Sequence, residues 1–496
     1  MRKGEDILEF LAYAVALTLL WVMAMRVRSV TLRQVLYLAA SYVFYAIWAS
    51  WFVVVLLLSS LTNYFLGQWL KKRPTARRLW TGITLNILFL STFKYLPLLG
   101  SFVSPTSAFS IVRHLVLPLG ISFWTFQALS YLFEIYREEE LNPSLLEFCL
   151  FMAFWPTVLS GPICRMSSML PQFRAAWSAS REDLEIGVRR ISIGLLMSVL
   201  ASIMAAGLHA GRGIDAGFSV PADRLSALDV WCLLFGYAFQ LYFNFCGYSH
   251  VVIGCARLFG IQLHENFDRP YLSTTPSIFW TRWHMSLSFW IRDFLFLPLA
   301  TLRREMWWRN LSLVIAMFVF GVWHKGSLLF MMWGTYHGLL LVLHRQWQQL
   351  RKRLGFEWSG ALATGVSWLL TFLAVCVGYI FFRANSMAQS FGMVKAIISP
   401  RDYHYWTLAP SLYLVVVLPM AGYFAVIGAS AALDSLAEFA TAWKGKDYRG
   451  LRVTIALLTN ERWVWIAPVV VVLAIYVSMA FQPGHTDTGP VMYALF

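Results

Sequence analysis

Long apolar runs recur along the whole chain, and short polar connections separate them. Many runs are long enough to cross a hydrocarbon core of about 30 Å, whereas others are short enough to be half-helices or re-entrant segments. The pattern predicts an all-α polytopic membrane protein with roughly ten to thirteen transmembrane helices. The predicted helical spans are 8–25, 34–49, 51–67, 79–95, 115–136, 146–161, 189–211, 226–247, 311–323, 327–344, 361–382, 409–431 and 462–481.

The segment 278–297, IFWTRWHMSLSFWIRDFLFL, combines helical periodicity with charged residues. Arg282, Ser286 and Asp293 share one face of a continuous helix, and Arg282 and Asp293 are a candidate ion pair. Such a helix would either lie in the membrane interface or line a polar cavity with its charged face. The apolar stripe on the other face consists of Trp280, Trp283, Leu287, Trp290, Ile291 and Phe294.

Composition supports a membrane location and argues against a nucleic-acid partner. Only 13% of the 496 residues are charged, against about 25% in a soluble domain. The net charge is +15, but the basic residues concentrate in short connections between apolar runs. Basic residues in such positions determine topology and contact anionic lipid headgroups.

The distribution of basic residues predicts the orientation of the chain. Arg26 to Arg33 follow the first predicted helix and Lys71 to Arg78 follow the third, whereas the turn at residues 49–51 has no charge. By the positive-inside rule, both basic loops are cytoplasmic and the N-terminus is extracytoplasmic. Two further connections are predicted on the cytoplasmic side, the polar stretch 162–190 and the basic loop 345–358.

The N-terminal run begins close behind Arg2 and Lys3, as a signal peptide does. No small-residue cleavage pattern follows it, so the run is predicted to be a retained first helix. The six cysteines lie in or beside apolar runs without a C-x-x-C pair. They are predicted to be buried free thiols rather than a disulfide framework or a zinc site.

Three histidines stand in apolar surroundings within 54 residues, namely His284, His324 and His337. Ionisable groups inside a membrane segment are candidates for function, although a hydrogen bond to a neighbouring helix is an alternative role for each. His324 and His337 would lie about 220° apart on one ideal helix. Since Lys325-Gly326-Ser327 is a plausible break, they are predicted to sit on successive helices.

The motifs that the sequence lacks argue against several classes of chemistry. No two histidines have the H-x-x-x-H spacing of a one-face metal site, so no metal is predicted. The chain has no G-x-S-x-G elbow, Walker A or G-x-G-x-x-G signature, which argues against a serine hydrolase and a nucleotide-driven transporter. The remaining chemistry is a histidine in a buried cavity that takes a proton from a hydroxyl as it attacks an activated acyl group.

Several long motifs resemble the membrane-bound O-acyltransferase family, in particular its bacterial alginate O-acetyltransferase-type branch. The similarity covers about residues 35–390. The resemblance implies a bundle of transmembrane, re-entrant and amphipathic helices around a central funnel. It divides the chain into N-terminal helices (1–110), a catalytic core (111–345) and C-terminal helices (346–496). The matching segments include LPLGISFWTFQALSYLFEIYR, FWPTVLSGPICR, FWTRWHMSLSFWIRDFLFLPL, GVWHKGSLLFMMWGTYHG and GYIFFRANS.

The resemblance also assigns roles to residues. The central histidine of the family motif G-[LVIF]-W-H-G corresponds to His324, and the histidine of F-W-x-R-W-H corresponds to His284. His324 would be the catalytic base or a transient acyl carrier, and His284 a second catalytic residue. The residues that support the site and the donor side of the funnel would be Trp323, Arg282, Asp293, His337 and Lys325.

The function implied by the resemblance is transfer of an acetyl group across the bacterial inner membrane for O-acetylation of an extracytoplasmic polysaccharide. The donor would be cytoplasmic acetyl-CoA, with no bound cofactor. The partners would be a periplasmic SGNH-type acetyltransferase or polysaccharide synthesis machinery. Alginate, peptidoglycan and cellulose remain open as acceptors, because two residues depart from the family pattern: Lys325 replaces a glycine and His250 an aspartate. The alternatives are D-alanyl transfer of the teichoic acid type and a non-catalytic channel or export scaffold.

Overall fold

The computed structural model describes residues 19–20, 22–97, 116–175, 179–208 and 212–444, the last fifteen of them as backbone alone. The described residues form helices and connecting loops without a strand. The helices are α1 (Val30–Ala49), α2 (Phe52–Lys72), α3 (Ala76–Lys94), α4 (Ile121–Tyr136), α5 (Leu145–Ala153), α6 (Met166–Arg174), α7 (Arg181–Ala206), α8 (Ile214–Gly217), α9 (Ala227–Leu258), α10 (Pro276–Arg282), α11 (Met285–Ile291), α12 (Leu297–Ala300), α13 (Met306–His324), α14 (Leu328–Leu354), α15 (Ala361–Arg383), α16 (Met387–Ile398) and α17 (Pro410–Lys444).

Seven helices among the described residues are long and apolar enough to cross a membrane, which confirms the all-α polytopic architecture. They are α1, α2, α7, α9, α13, α15 and the part of α17 up to residue 429. The last predicted span, 462–481, lies outside the described residues, and of the first, 8–25, only residues 19–20 and 22–25 are described. Five of the six cysteines are buried and Cys255 is half-buried, and all six are free thiols.

Close glycine contacts join the two long helices α7 and α9. A Cβ on Gly194 would lie 2.4 Å from the carbonyl oxygen of Gly247, and one on Gly254 would lie 2.7 Å from that of Gly187. Small residues at such crossings let backbones approach closely, which favours helix association where lipid removes the hydrophobic driving force.

Basic residues and their partners gather at one side of the bundle. Lys71, at the end of α2, donates to the carbonyl oxygen of Leu141 at 2.8 Å. Arg257, at the end of α9, pairs with Asp183 at the start of α7 at 2.7 Å. Gln172 of α6 donates to the carbonyl oxygen of Gln262 at 3.1 Å, which ties the loop after α9 to the same side.

Acidic anchors hold the opposite side together. Asp229, near the start of α9, accepts hydrogen bonds from Thr407 and Leu408 just before α17 and from Tyr413 within it. Arg383, at the end of α15, donates to Asp215 at 3.0 Å. The contacts that hold the two sides therefore differ, because Lys71 and Arg257 act at one side and the carboxylates of Asp229 and Asp215 at the other.

Two predicted connections are largely helical, and the prediction of a loop at 345–358 is wrong. The stretch 162–190 contains α6 and the first turns of α7, and the basic stretch 345–358 continues α14 as far as Leu354. Hydropathy marks where apolar residues stop, whereas Arg, Lys, Gln and Leu are good helix formers that extend a helix into water. Helix α14 ends at Leu354, and Gly355 directly after it adopts a positive φ of 60°.

Glu147 is expected to stabilise the basic side in a pH-dependent way. Although burial opposes its ionisation, hydrogen bonds from Arg174 and Ser144 lower its pKa from 4.5 to about 2. Its contribution is therefore fully present above about pH 4.5 and is lost as the pH falls through about 2. We expect Glu147→Gln to lower the free energy of unfolding by about 1–2 kcal/mol at pH 7.

Thermal unfolding of detergent-solubilised protein between pH 7 and pH 3 measures this effect. Glu185→Gln is the matched control, because Glu185 pairs with Arg181 on an exposed helix surface and is worth about 0.3–0.5 kcal/mol. A Glu147→Gln protein that unfolds at the wild-type temperature at pH 7 would contradict the assignment.

Candidate active site

His284 lies at a break between two short helices rather than within one. Helix α10 ends at Arg282, α11 begins at Met285, and His284 between them adopts a left-handed conformation with φ of 43°. A non-glycine residue in this region stores strain that the surroundings must hold. The predicted continuous helix over 278–297 is therefore wrong, and a π-helical turn, Arg292–Phe296, follows α11.

The break is held by residues distant in sequence. The backbone N–H of Met285 donates to the carbonyl oxygen of Asn266 at 2.9 Å. The ring nitrogen Nδ1 of His284 lies 3.0 Å from Oδ1 of the same asparagine. Further along, Trp290 Nε1 donates to Ser130 Oγ of α4 at 2.8 Å. These contacts turn the chain inward, so that His284 is 1% exposed.

His324 closes α13 and is surrounded by aromatic rings. Its imidazole lies 4.7 Å from Phe320, 5.2 Å from Trp333 and 5.5 Å from Phe382, measured between ring centroids. Helix α13 ends here because Lys325 takes an extended conformation. Helix α14 starts at Leu328, which confirms that His324 and His337 belong to successive helices.

His337 lies almost three turns into α14 and packs against α10 and α15. Its ring is 5.1 Å from Trp280 and 5.2 Å from Trp333 between centroids. A Cβ on Gly378 would lie 2.7 Å from His337 Nε2, so α15 leaves room for the imidazole only because it has glycine there. His337 is 2% exposed.

The three histidines line one cavity. His284, His324 and His337 surround it together with aromatic side chains such as Trp333 and Tyr379. The water-accessible volume of this cavity is about 20 Å³, which is enough for one water molecule. A thioester can therefore enter only if the surrounding side chains move.

The structure does not bring all the predicted supporting residues to this cavity. Trp323 packs beside His324 with ring centroids 4.7 Å apart, although its own side chain is not part of the lining. Lys325 is exposed and also lies outside the lining. His250, the other departure from the family pattern, lies 3.5 Å from Arg190, which pairs with Glu265.

Arg282 and Asp293 do not pair with each other, so the predicted ion pair between them is wrong. Arg282 lies 3.8 Å from Asp268, and Asp293 accepts from Arg165 at 2.5 Å and from Arg292 at 2.7 Å. The break at His284 removes the shared helix face on which the predicted pair depended. Although burial opposes ionisation of Asp293, these two arginines lower its pKa.

Lys94 is a residue near the site that the sequence pattern did not single out. Its Nζ lies 4.8 Å from the ring centroid of Trp323 and 3.3 Å from Ser122 Oγ. A cation next to the aromatic shell of His324 is costly in apolar surroundings and is therefore a candidate for function. A lone lysine in the run LSTFKYLPLL was the available signal.

This arrangement suits proton transfer rather than metal chemistry. Within the described ranges, no group of three or more His, Cys, Asp or Glu side chains is placed to share a metal ion. Neutral imidazoles can accept and return protons near physiological pH, provided that a hydroxyl comes within hydrogen-bond reach. A cavity with room for only one water molecule would also limit hydrolysis of an activated acyl group.

A family model described as "MBOAT, membrane-bound O-acyltransferase family" matches residues 34–382, a range that includes all three cavity histidines. The chain is 31% identical over 388 residues to the "Probable alginate O-acetylase AlgI" of Pseudomonas putida, which covers 75% of this chain and 76% of that protein.

Two other relatives are named for different polymers. The chain is 31% identical over 393 residues to the "Peptidoglycan O-acetyltransferase" of Helicobacter pylori, covering 72% of each chain. It is 32% identical over 323 residues to the "Teichoic acid D-alanyltransferase" of Streptococcus thermophilus, covering 60% of this chain and 75% of that protein. The chain belongs to the membrane-bound O-acyltransferase family and is an O-acyltransferase embedded in a membrane.

Proposed function

We propose that this enzyme takes an acetyl group from acetyl-CoA at the cytoplasmic face of a bacterial inner membrane and passes it outward for O-acetylation of a polysaccharide. The observation that carries the proposal is the buried cavity shared by His284 and His324, placed between a basic side and an opposite side of the bundle. The relatives named as alginate and peptidoglycan O-acetyltransferases supply the substrate class.

The basic side is the proposed cytoplasmic, donor-binding face. It carries the ends of α2 and α9 and the arginines around Asp293, and its charge agrees with the positive-inside rule. Arg165 and Arg292 flank Asp293 where the π-helical turn leads from this face toward His284. Arginine is well suited to the phosphate groups of a coenzyme A donor. Since α2 ends at this face, the preceding helix α1 begins at it. The predicted span 8–25, which comes before α1, would then place the N-terminus on the extracytoplasmic side.

The opposite side offers an approach for the acceptor. A cleft of about 660 Å³ opens there between the loop after α8 and helix α16. Phe382 packs on His324, and Asn385 three residues later lines the cleft. A polymer chain or a periplasmic SGNH-type acetyltransferase that receives the acetyl group would approach the histidine cavity from here.

In the proposed reaction, His324 removes the proton from the acceptor hydroxyl as its oxygen attacks the thioester carbonyl. The new C–O bond forms, the C–S bond breaks, and the proton passes to the leaving thiolate. His284 faces the same cavity. A role for His324 as a transient acyl carrier is the alternative route to the same products.

Membrane vesicles of defined orientation test donor and topology together. Inside-out vesicles are expected to transfer label from added acetyl-CoA to enclosed polysaccharide, whereas right-side-out vesicles should do so only after permeabilisation. Acetylation by intact right-side-out vesicles would contradict the orientation.

The donor is tested in the same vesicles by supplying either labelled acetyl-CoA or a carrier protein charged with labelled D-alanine. Transfer from acetyl-CoA alone is the expected result, and transfer from the charged carrier alone would establish D-alanyl transfer instead. Vesicles that contain the His324→Ala protein are the control for background transfer.

A further inference from the structure

The side-chain amide of Asn266 has a fixed orientation. The backbone N–H of Ser286 lies 3.3 Å from one amide atom and its hydroxyl 2.9 Å from the same atom. A backbone N–H can only donate, so that atom is the oxygen Oδ1 rather than the NH₂ group. The NH₂ group, on the other edge of the amide, donates to Ser249 Oγ at 3.3 Å.

This orientation determines which nitrogen of His284 carries a hydrogen. Nδ1 of the imidazole lies 3.0 Å from Oδ1 of Asn266, and Oδ1 can only accept. Nδ1 is therefore the protonated nitrogen, and in the neutral ring the lone pair resides on Nε2. Nε2 is buried and has no hydrogen-bond partner among the described residues.

The same asparagine also supports the backbone that presents the ring. Its carbonyl oxygen accepts from Met285, the residue after His284, at 2.9 Å, while His284 holds its strained left-handed conformation. The ring is further confined by Phe245, with centroids 4.7 Å apart in an edge-to-face arrangement. Asn266 thus controls both the position of His284 in the cavity and its tautomer.

We propose that Asn266 is a positioning residue that holds His284 as the Nδ1–H tautomer, so that the bare Nε2 serves as a hydrogen-bond acceptor at the cavity. This inference rests on the proposed acyl transfer and deepens it. His284 then accepts a hydrogen bond from a cavity group other than the attacking hydroxyl, whose single proton goes to His324, and His284 does not donate to the oxygen of the acyl group. Stabilisation of the developing oxyanion must come from another donor.

The tautomer can be measured without any assay of activity. Full-length protein in nanodiscs, labelled with ¹⁵N in its histidine rings, gives separate NMR signals for protonated and bare ring nitrogens, and His284→Asn identifies the signals of His284. We expect a protonated Nδ1 and a bare Nε2 in the wild type, and loss of this preference in Asn266→Leu. Nε2–H in the wild type would overturn the proposal, whatever the fate of the proposed donor or acceptor.

Kinetics separate positioning from a merely structural role. Asn266→Leu is expected to lower kcat by about 10- to 100-fold with little change in the KM for the donor. Asn266→Asp keeps an oxygen acceptor for His284 and Ser286 and should recover most of the activity. Ser249→Ala removes only the contact on the far edge of the amide and should stay within about twofold of wild type.

Asn266→Asp also keeps the proposal testable if the leucine variant misfolds. If Asn266→Asp is folded, with a wild-type unfolding temperature, and yet as inactive as Asn266→Leu, the hydrogen-bond acceptor is not what matters and the proposal fails. Recovery by Asn266→Asp together with a bare Nε2 in its spectrum supports it.

Discussion

Replacement of His324 by alanine is expected to abolish acyl transfer while the protein stays folded. A general base contributes about 10²–10⁴-fold to the rate of such reactions. His324 is the cavity histidine at the end of α13, enclosed by Phe320, Trp333 and Phe382. No other described group is proposed to take the hydroxyl proton, so the loss should appear in kcat rather than in the KM for the donor.

The measurement is acetyl transfer from labelled acetyl-CoA by purified protein in proteoliposomes, with unfolding temperature as the check on folding. His404→Ala is the matched control, because His404 is exposed on the opposite side of the bundle from the basic face. Activity of His324→Ala within about tenfold of wild type would contradict the role of His324 as base.

A rapid-mixing experiment on the wild type separates the two roles left open for His324. If His324 carries the acyl group, thiol is released in a burst of one equivalent before acceptor is added. If His324 acts only as a base, thiol release requires the acceptor. Absence of the burst in His324→Ala assigns it to this residue.

The sequence predicted the placement of His324 and His337 from local features. Lys325-Gly326-Ser327 interrupts the apolar run, and the structure ends α13 and starts α14 at this point. That both rings line one cavity was beyond such reasoning, because it depends on how α13 and α14 pack against α10 and α15. Local sequence determines where a helix stops, whereas packing determines which side chains meet.

The segment 278–297 shows how periodicity can mislead. Its apolar residues fit a single helix, yet the chain breaks at His284, because Asn266 supplies contacts that replace the lost helical hydrogen bonds. Asn266 lies 18 residues before His284 in the sequence, outside the segment 278–297 whose periodicity was used for the prediction. Tertiary contacts of this kind override the local helix propensity. They hold strained residues in place, and such residues are common at functional sites.

Charged partners were also beyond sequence reasoning. Asp293 pairs with Arg165, 128 residues earlier in the chain, rather than with Arg282 on its own segment. Lys94 approaches Trp323 from a helix whose sequence has no motif that links it to the site. The resemblance identified the histidines, since their motifs are local, but it could not identify residues that reach the site through packing alone.

Replacement of Gly334 by valine is expected to cause a large loss of stability. A Cβ on Gly334 would lie 2.2 Å from the carbonyl oxygen of Met317, and one on Gly321 would lie 2.1 Å from that of Phe330. These obstacles are backbone atoms, so α13 and α14 must separate to admit a side chain. Overpacking costs about 1–3 kcal/mol where side chains can adjust, and more where backbone must move.

Separation of the two helices must also affect chemistry. Trp333, the neighbour of Gly334, lines the cavity, and His324 lies one turn beyond Gly321 on α13. We therefore expect Gly334→Val to lower the unfolding temperature in detergent and to reduce acyl transfer even in the folded fraction. Gly365→Val is the matched control, because Gly365 lies in α15 with no atom within 4 Å of its added Cβ. Both variants add the same β-branched residue to a helix. The difference between their unfolding temperatures therefore measures the effect of the contact between α13 and α14. Equal unfolding temperatures would show that this contact does not determine stability.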